Sequence, residues 1–359
     1  MKKTFRHILF ATLIATMPLF ISCKDDEGGQ DPQPTDEVIE FETPRYMDSD
    51  GENLYITCYY PTAVVRFNTS TRKVTGICNL GKFHPEGIAA VGGKLYIASS
   101  NISDENYNYS YDNKLYVVDI ASFTLVDSVI VGVNPNKVKK LDNNHIAFNT
   151  LGDYYNDFGG MYIMNTDNKE ITKLSTDLYN FDTYNGDIYG YTSPYGTLGF
   201  YKISGSSLTS STLDINLSGT DNPYGINVNP YNGDIIIVTD GNYVASGDCY
   251  VFTNNGQTRF SALPLSNLPS KAVAIDNNNL LVLNEGGWGA NNAEVSLVDV
   301  SESSANVDFF SFNNGRGLGD VAQDMIIVGN KAYISVSFSN SIEIMDIATG
   351  ISTRYGTLK

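Results

Sequence analysis

The sequence predicts an all-β chain, a seven-bladed β-propeller of four-stranded antiparallel blades. Three observations carry that prediction. Pairs of short apolar runs recur seven times along the chain, at the spacing of about 40–50 residues expected of propeller blades. Within each copy the apolar residues alternate or run continuously, as in buried strands, and no segment between them carries a helical apolar stripe. One such unit cannot bury both of its faces alone, whereas seven closed radially leave only short sheet edges.

The unit is plainest between Pro85 and Asn134, where EGIAAV, KLYIASS, KLYVVDI and TLVDSVIV read as four strands split by Gly-Gly, a Tyr/Asn/Asp-rich loop and a polar turn. Its second and third strands recur throughout. NLYITCYY precedes AVVRFN, HIAFNTLGD precedes GGMYIMN, and DIYGYTS precedes LGFYKIS. DIIIVTDG is followed by GDCYVF, NLLVLNEGG by EVSLVDV, and KAYISVSFS by SIEIMDI. Related turns mark blade starts: HPEGI at His84, NPNKV at Asn134, NPYGI at Asn222, LPSKA at Leu268 and GLGDV at Gly317. The run VIEF at Val38–Phe41 is β-prone and is expected to add to the last blade, whose outer strand is ISTRYGTL.

Residues 1–22 read as a signal peptide: Lys2, Lys3 and Arg6 precede an apolar run from Ile8 to Phe20 that is too short to span a membrane comfortably. A small residue, Ser22, stands directly before Cys23, which resembles the lipobox of bacterial lipoproteins, with Phe20 where Leu is more usual. That resemblance implies an acylated Cys23 at the mature N-terminus and a membrane anchor. An ordinary signal peptide with an incidental Cys is the alternative. Residues 23–37 are polar and rich in acid, Pro and Gly, the composition of a disordered tether. KDDE after Cys23 resembles the acidic export signal of surface lipoproteins in some Gram-negative bacteria; a plain charged spacer is the other reading. Residues 38–359 then form the propeller.

The chain has 23 Lys+Arg against 40 Asp+Glu, a net charge of −17 that becomes −20 without Lys2, Lys3 and Arg6. Such a surface excludes nucleic acid and electrostatic docking on anionic lipid. Cys58 and Cys78 fall on the second and fourth strands of blade one, about 9.6 Å apart by strand spacing, beyond the Cα reach of a disulfide of about 7 Å. Cys249 lies four blades on. All three are expected to be buried thiols.

Catalytic patterns are thin. His84 and His145 are the histidines outside the signal, and no nucleophile triad, zinc-spaced cluster or phosphate loop appears. GRGLG at Gly315–Gly319 is expected to be a turn. Glu86 is placed near the channel mouth, but Asn136, Tyr224 and Lys271 at the equivalent positions make a poor metal cage. No catalytic residue, no metal and no resident cofactor is expected.

Binding residues are easier to name. In a four-stranded blade the loop joining strands two and three shares a face with the link to the next blade. The long loops here are all of that type, and they place Tyr107, Tyr109, Tyr111, Tyr154, Tyr155, Phe158, Tyr195, Tyr243 and Trp288 around one rim. Aromatic faces among Asn, Asp and Gly suit a large amphipathic small molecule; capping of the blades is what such residues do otherwise.

The recurrent P-x-G-[IV], G-x-LYI and LYVVDI of PEGIAAVGGKLYIASS and KLYVVDIASFTL resemble the YncE-like, surface-layer-type propellers, over nearly all of residues 40–359. With the lipobox and acidic tether, the chain resembles the propeller surface lipoproteins that capture cobalamin for a TonB-dependent outer-membrane transporter. The resemblance implies a corrinoid on the aromatic face and that transporter as partner. A glycan-binding or interaction-scaffold lipoprotein, and a metal-dependent lactonase or lyase, are the other classes the sequence leaves open.

Overall fold

The computed structural model describes residues 42–60, 62–103, 109–153, 155–193, 196–218, 222–243 and 245–356. The signal, Cys23, the tether and the Val38–Phe41 run lie outside the described residues. Seven antiparallel sheets follow one another along the chain, each ordered as the sequence runs. This is a seven-bladed β-propeller. Its inner strands are Glu42–Ser49, Phe83–Val91, Pro135–Lys140, Asn180–Tyr184, Pro223–Val228, Pro269–Ala274 and Ala322–Val328. Every second and third strand coincides with the pairs of apolar runs, because both faces of the middle strands are covered by neighbouring blades and their central residues are buried and mostly apolar or small.

The start of the inner strands carries a device that the sequence hides. In blades one, two, three, five, six and seven the register against the second strand shifts within the first few residues. Blade four pairs without a shift. Thr43, Asn134, Leu268 and Val321, each one residue before the strand's Pro or Ala, take left-handed backbone with φ of 52–59°. A bulge of this kind bends the strand and re-aims its side chains, here toward the central axis. Glycines allow the close approach that follows. A Cβ on Gly225 would sit 2.2 Å from the carbonyl oxygen of Ser270, and one on Gly87 would sit 2.8 Å from that of Asn136.

Along the inner strands, side chains staple four of the blades to the next. Asp48 accepts the Ala90 N–H at 2.7 Å, Asp182 that of Val228 at 3.1 Å, Asn227 that of Ala272 at 2.9 Å and Asp324 that of Met47 at 2.8 Å. The last of these closes the ring. Among the described residues blade seven is built from Ala322–Tyr355, and side chains cross the seam between it and blade one. Ser335 and Ser337 donate to the carbonyls of Arg45 and Pro44, each at 2.5 Å, and the Asn340 side chain accepts the Thr43 N–H at 2.8 Å.

Three features differ from the expected layout. Tyr109–Tyr111 forms a fifth strand on blade two, pairing with Asn101–Ser103, inside what reads as a loop. A six-residue helix, Phe309–Asn314, links blades six and seven and buries Phe310; GRGLG follows it, with Gly315 as its left-handed cap. Finally, Ser270, not Lys271, is the counterpart of Glu86, Asn136 and Tyr224: each directly follows its strand's Pro, and Ser270 sits in the register shift between Pro269 and Lys271. Cys58, Cys78 and Cys249 are buried free thiols, as the strand spacing requires.

Candidate functional site

The second-to-third strand loops and the bulged inner-strand starts share one face, tied by backbone hydrogen bonds such as Asn134 N–H to Asp112 and Glu285 N–H to Leu268. Six of the nine expected aromatic residues are described there, from 45% exposed at Tyr111 to 84% at Tyr155. Tyr107, Tyr154 and Tyr195 lie outside the described residues.

These six stand around the rim in separate groups. Tyr109 tilts against His84, centroids 5.2 Å apart, and His84 meets Tyr59 edge-on at 5.2 Å. Tyr243 meets Tyr224 edge-on at 5.8 Å, and Trp288 meets Phe338 at 6.1 Å. Phe338 escapes notice in the sequence because its loop is a single short turn; its place directly after the second strand was the available signal. Two of the loops are tied by side-chain hydrogen bonds. Asp153 accepts the N–H groups of Tyr155, Asn156 and Asp157, and Gly289, next to Trp288, donates to Asp320.

Inside the rim lies the central channel, a cavity of about 420 Å³ lined by the inner strand of every blade. None of the six rim aromatics lines it; Tyr46, Tyr179 and Tyr224 do. Its charged groups are mostly matched. Lys139 pairs with Asp182 at 3.4 Å and Lys271 with Asp324. The Asp182 carboxyl is held below its usual range: burial opposes this but is outweighed by Lys139 and Lys137. Burial raises Asp48 and Glu285, and Glu285 accepts a hydrogen bond from Tyr224 at 3.1 Å.

Lys137 is different. Its Nζ donates to Asn180 Oδ1 at 2.8 Å and lies 5.7 Å from the Phe181 ring centre, with no carboxylate in ion-pair range among the described residues. Burial first, then Lys139, pushes its ammonium down to about 7. The sequence shows it only as one letter of a turn-like NPNKV.

Glu86 is not free at the channel mouth. Its carboxylate takes Arg45 at 2.9 Å, Ser100 at 3.1 Å and the Tyr59 hydroxyl, and it lies outside the cavity lining. Among the described residues no three His, Cys, Asp or Glu side chains gather as a metal site. His145 pairs with Asp142 at 2.9 Å in an open hollow of about 510 Å³ on the opposite face, between blades three and four.

No family model and no curated protein matches the chain. Solved propellers do. Hydrazine synthase of Kuenenia stuttgartiensis superposes with a TM-score of 0.64 at 17% identity, covering 89% of this chain and 100% of that one. The dihydro-heme d1 dehydrogenase NirN in complex with DHE gives 0.58 at 13%, covering 89% and 67%. The β-propeller domain of Cps50 (Swd1) from Myceliophteria thermophila gives 0.57 at 10%, covering 89% and 98%. At such identities the likeness is one of fold.

Proposed function

We infer that this propeller is a lipid-anchored, non-enzymatic binding protein on the surface of the outer membrane, and that its loop face captures a large amphipathic small molecule, a corrinoid such as cobalamin, for a TonB-dependent transporter. The observation that carries the reading is the set of exposed Tyr, Phe and Trp side chains on loops, two of them tied by side-chain hydrogen bonds, around a polar channel mouth. A corrinoid is too large for a channel of about 420 Å³ and would lie across the rim, its ring against aromatic faces and its amides against Asn and Asp. The lipobox, the acidic tether and the net charge of −17 support an exported protein kept off the lipid surface. Calorimetry of the purified protein with cobalamin tests it. Binding with visible absorbance retained after desalting is expected; no heat removes the corrinoid, and binding to a glycan panel instead would make the rim a sugar site.

A further inference from the structure

Lysines in the channel divide by what they do. Lys139 and Lys271 neutralise Asp182 and Asp324, the carboxylates that staple blade four to five and blade seven to one. Lys137 acts on Asp182 only at a distance and has no carboxylate in ion-pair range among the described residues. It occupies the same face of the same strand as Lys139 two residues on, is enclosed by protein, and turns its exposed surface into the cavity. A desolvated amine beside a second cation is the arrangement that makes a lysine nucleophilic. Its neighbours add what carbonyl chemistry needs. Asn180 Oδ1 orients the amine, the Asn136 and Gln323 amides line the same cavity with no protein partner among the described residues, and Glu285 with Tyr224 stands in its lining. Burial raises the Glu285 carboxyl above its ordinary value, the direction that favours proton donation.

We propose that the central channel is a carbonyl-binding site, in which Lys137 Nζ holds a small aldehyde or ketone entering from the rim face as a reversible imine. The amine lone pair forms the C–N bond as the carbonyl π bond breaks and its oxygen takes a proton. The carbinolamine then loses water, the nitrogen gives up its second proton, and hydrolysis reverses the sequence. No oxidant or reductant is involved. The proposal is independent of the corrinoid reading, since it uses the channel and none of the rim aromatics.

The test needs no variant and no corrinoid. Purified full-length protein is treated with propanal and cyanoborohydride, and the alkylation rate of each lysine is read by peptide mass mapping. At pH 7, Lys137 should react at least fivefold faster than exposed Lys140 and Lys73, and its rate alone should saturate with propanal. Its pH profile should bend near 7, with Lys139 on its own strand, Asp182, Lys271 and Asp324 across the channel, and Asp48 and Glu285 beyond them setting the position. A Lys137 rate less than fivefold above that of the exposed lysines, or one that rises linearly with propanal, overturns the proposal.

Discussion

Lys137 and Lys139 stand two residues apart on one strand and are driven in opposite directions. Lys139 faces Asp182 and is held above the ordinary lysine value, chiefly by that charge, whereas burial and Lys139 push Lys137 down to about 7 from 10.5. Between those two pH values the unfolded chain holds a proton that the folded one does not, so this group's contribution to stability rises with pH through the window. Below about pH 7 both states are protonated and the whole penalty of a buried unpaired ammonium is present. Lys137→Met should therefore raise Tm at pH 6, by about 2 °C or more for a chain of this size, with the gain shrinking toward pH 10. A melting temperature at pH 6 equal to or below that of the parent would contradict it. On the rim, Trp288 offers the largest exposed apolar face, braced by Phe338 and a loop tied to Asp320. Hot-spot truncations cost about 2 kcal/mol or more, so Trp288→Ala should weaken corrinoid binding at least about thirtyfold and leave the fold intact, as titration beside a melting curve would show.

The inner strand is where the elements gain more than their sequence displays. Four of its six bulges carry left-handed backbone, at Thr43, Asn134, Leu268 and Val321, four residue types with no shared preference for it, so tertiary packing imposes the conformation there. The second and third strands were legible because burial on both faces makes them continuous apolar runs. The fifth strand of blade two was not, since YSY is exposed at every position and carries no period-2 contrast. The helix FFSFNN is likewise too short for a 3.6-residue stripe. The staples rank by what their removal leaves behind. Asp324→Ala orphans the Met47 N–H and strips Lys271 of its partner, so urea unfolding should register a loss of about 3–5 kcal/mol. Asn227→Ala orphans the Ala272 N–H and removes a long hydrogen bond to Asp182, which keeps Lys139 and the Val228 N–H, so the cost is about 1–3 kcal/mol. Equal losses for the two would mean that the Lys271 charge finds another partner or water.

For the whole ring, the blade count and the face that carries the aromatic loops could be read from the repeat, but the channel could not. Which residues become enclosed is decided only when seven inner strands meet. Enclosure has a chemical signature as well. Burial pushes the Cys58 and Cys249 thiols up to about 12 and raises Cys78, so thiol labelling at pH 8 should leave all three untouched in the native protein and reach all three after denaturation. A native count of one or more would reveal a blade that opens on the labelling timescale. One last consequence comes from Asn340. Its side chain accepts the Thr43 N–H, and its carbonyl oxygen lies 2.6 Å from where a Cβ on Gly356 would be. The first and last described residues therefore meet at one point on the rim face, and the polypeptide can be circularly permuted. Joining Glu42 to Gly356 by a short linker and reopening the exposed Gly329–Asn330 turn would move both ends to the opposite face. Such a permutant should melt and bind as the parent does in solution, yet hold its rim turned away from any membrane to which its new N-terminus is fixed.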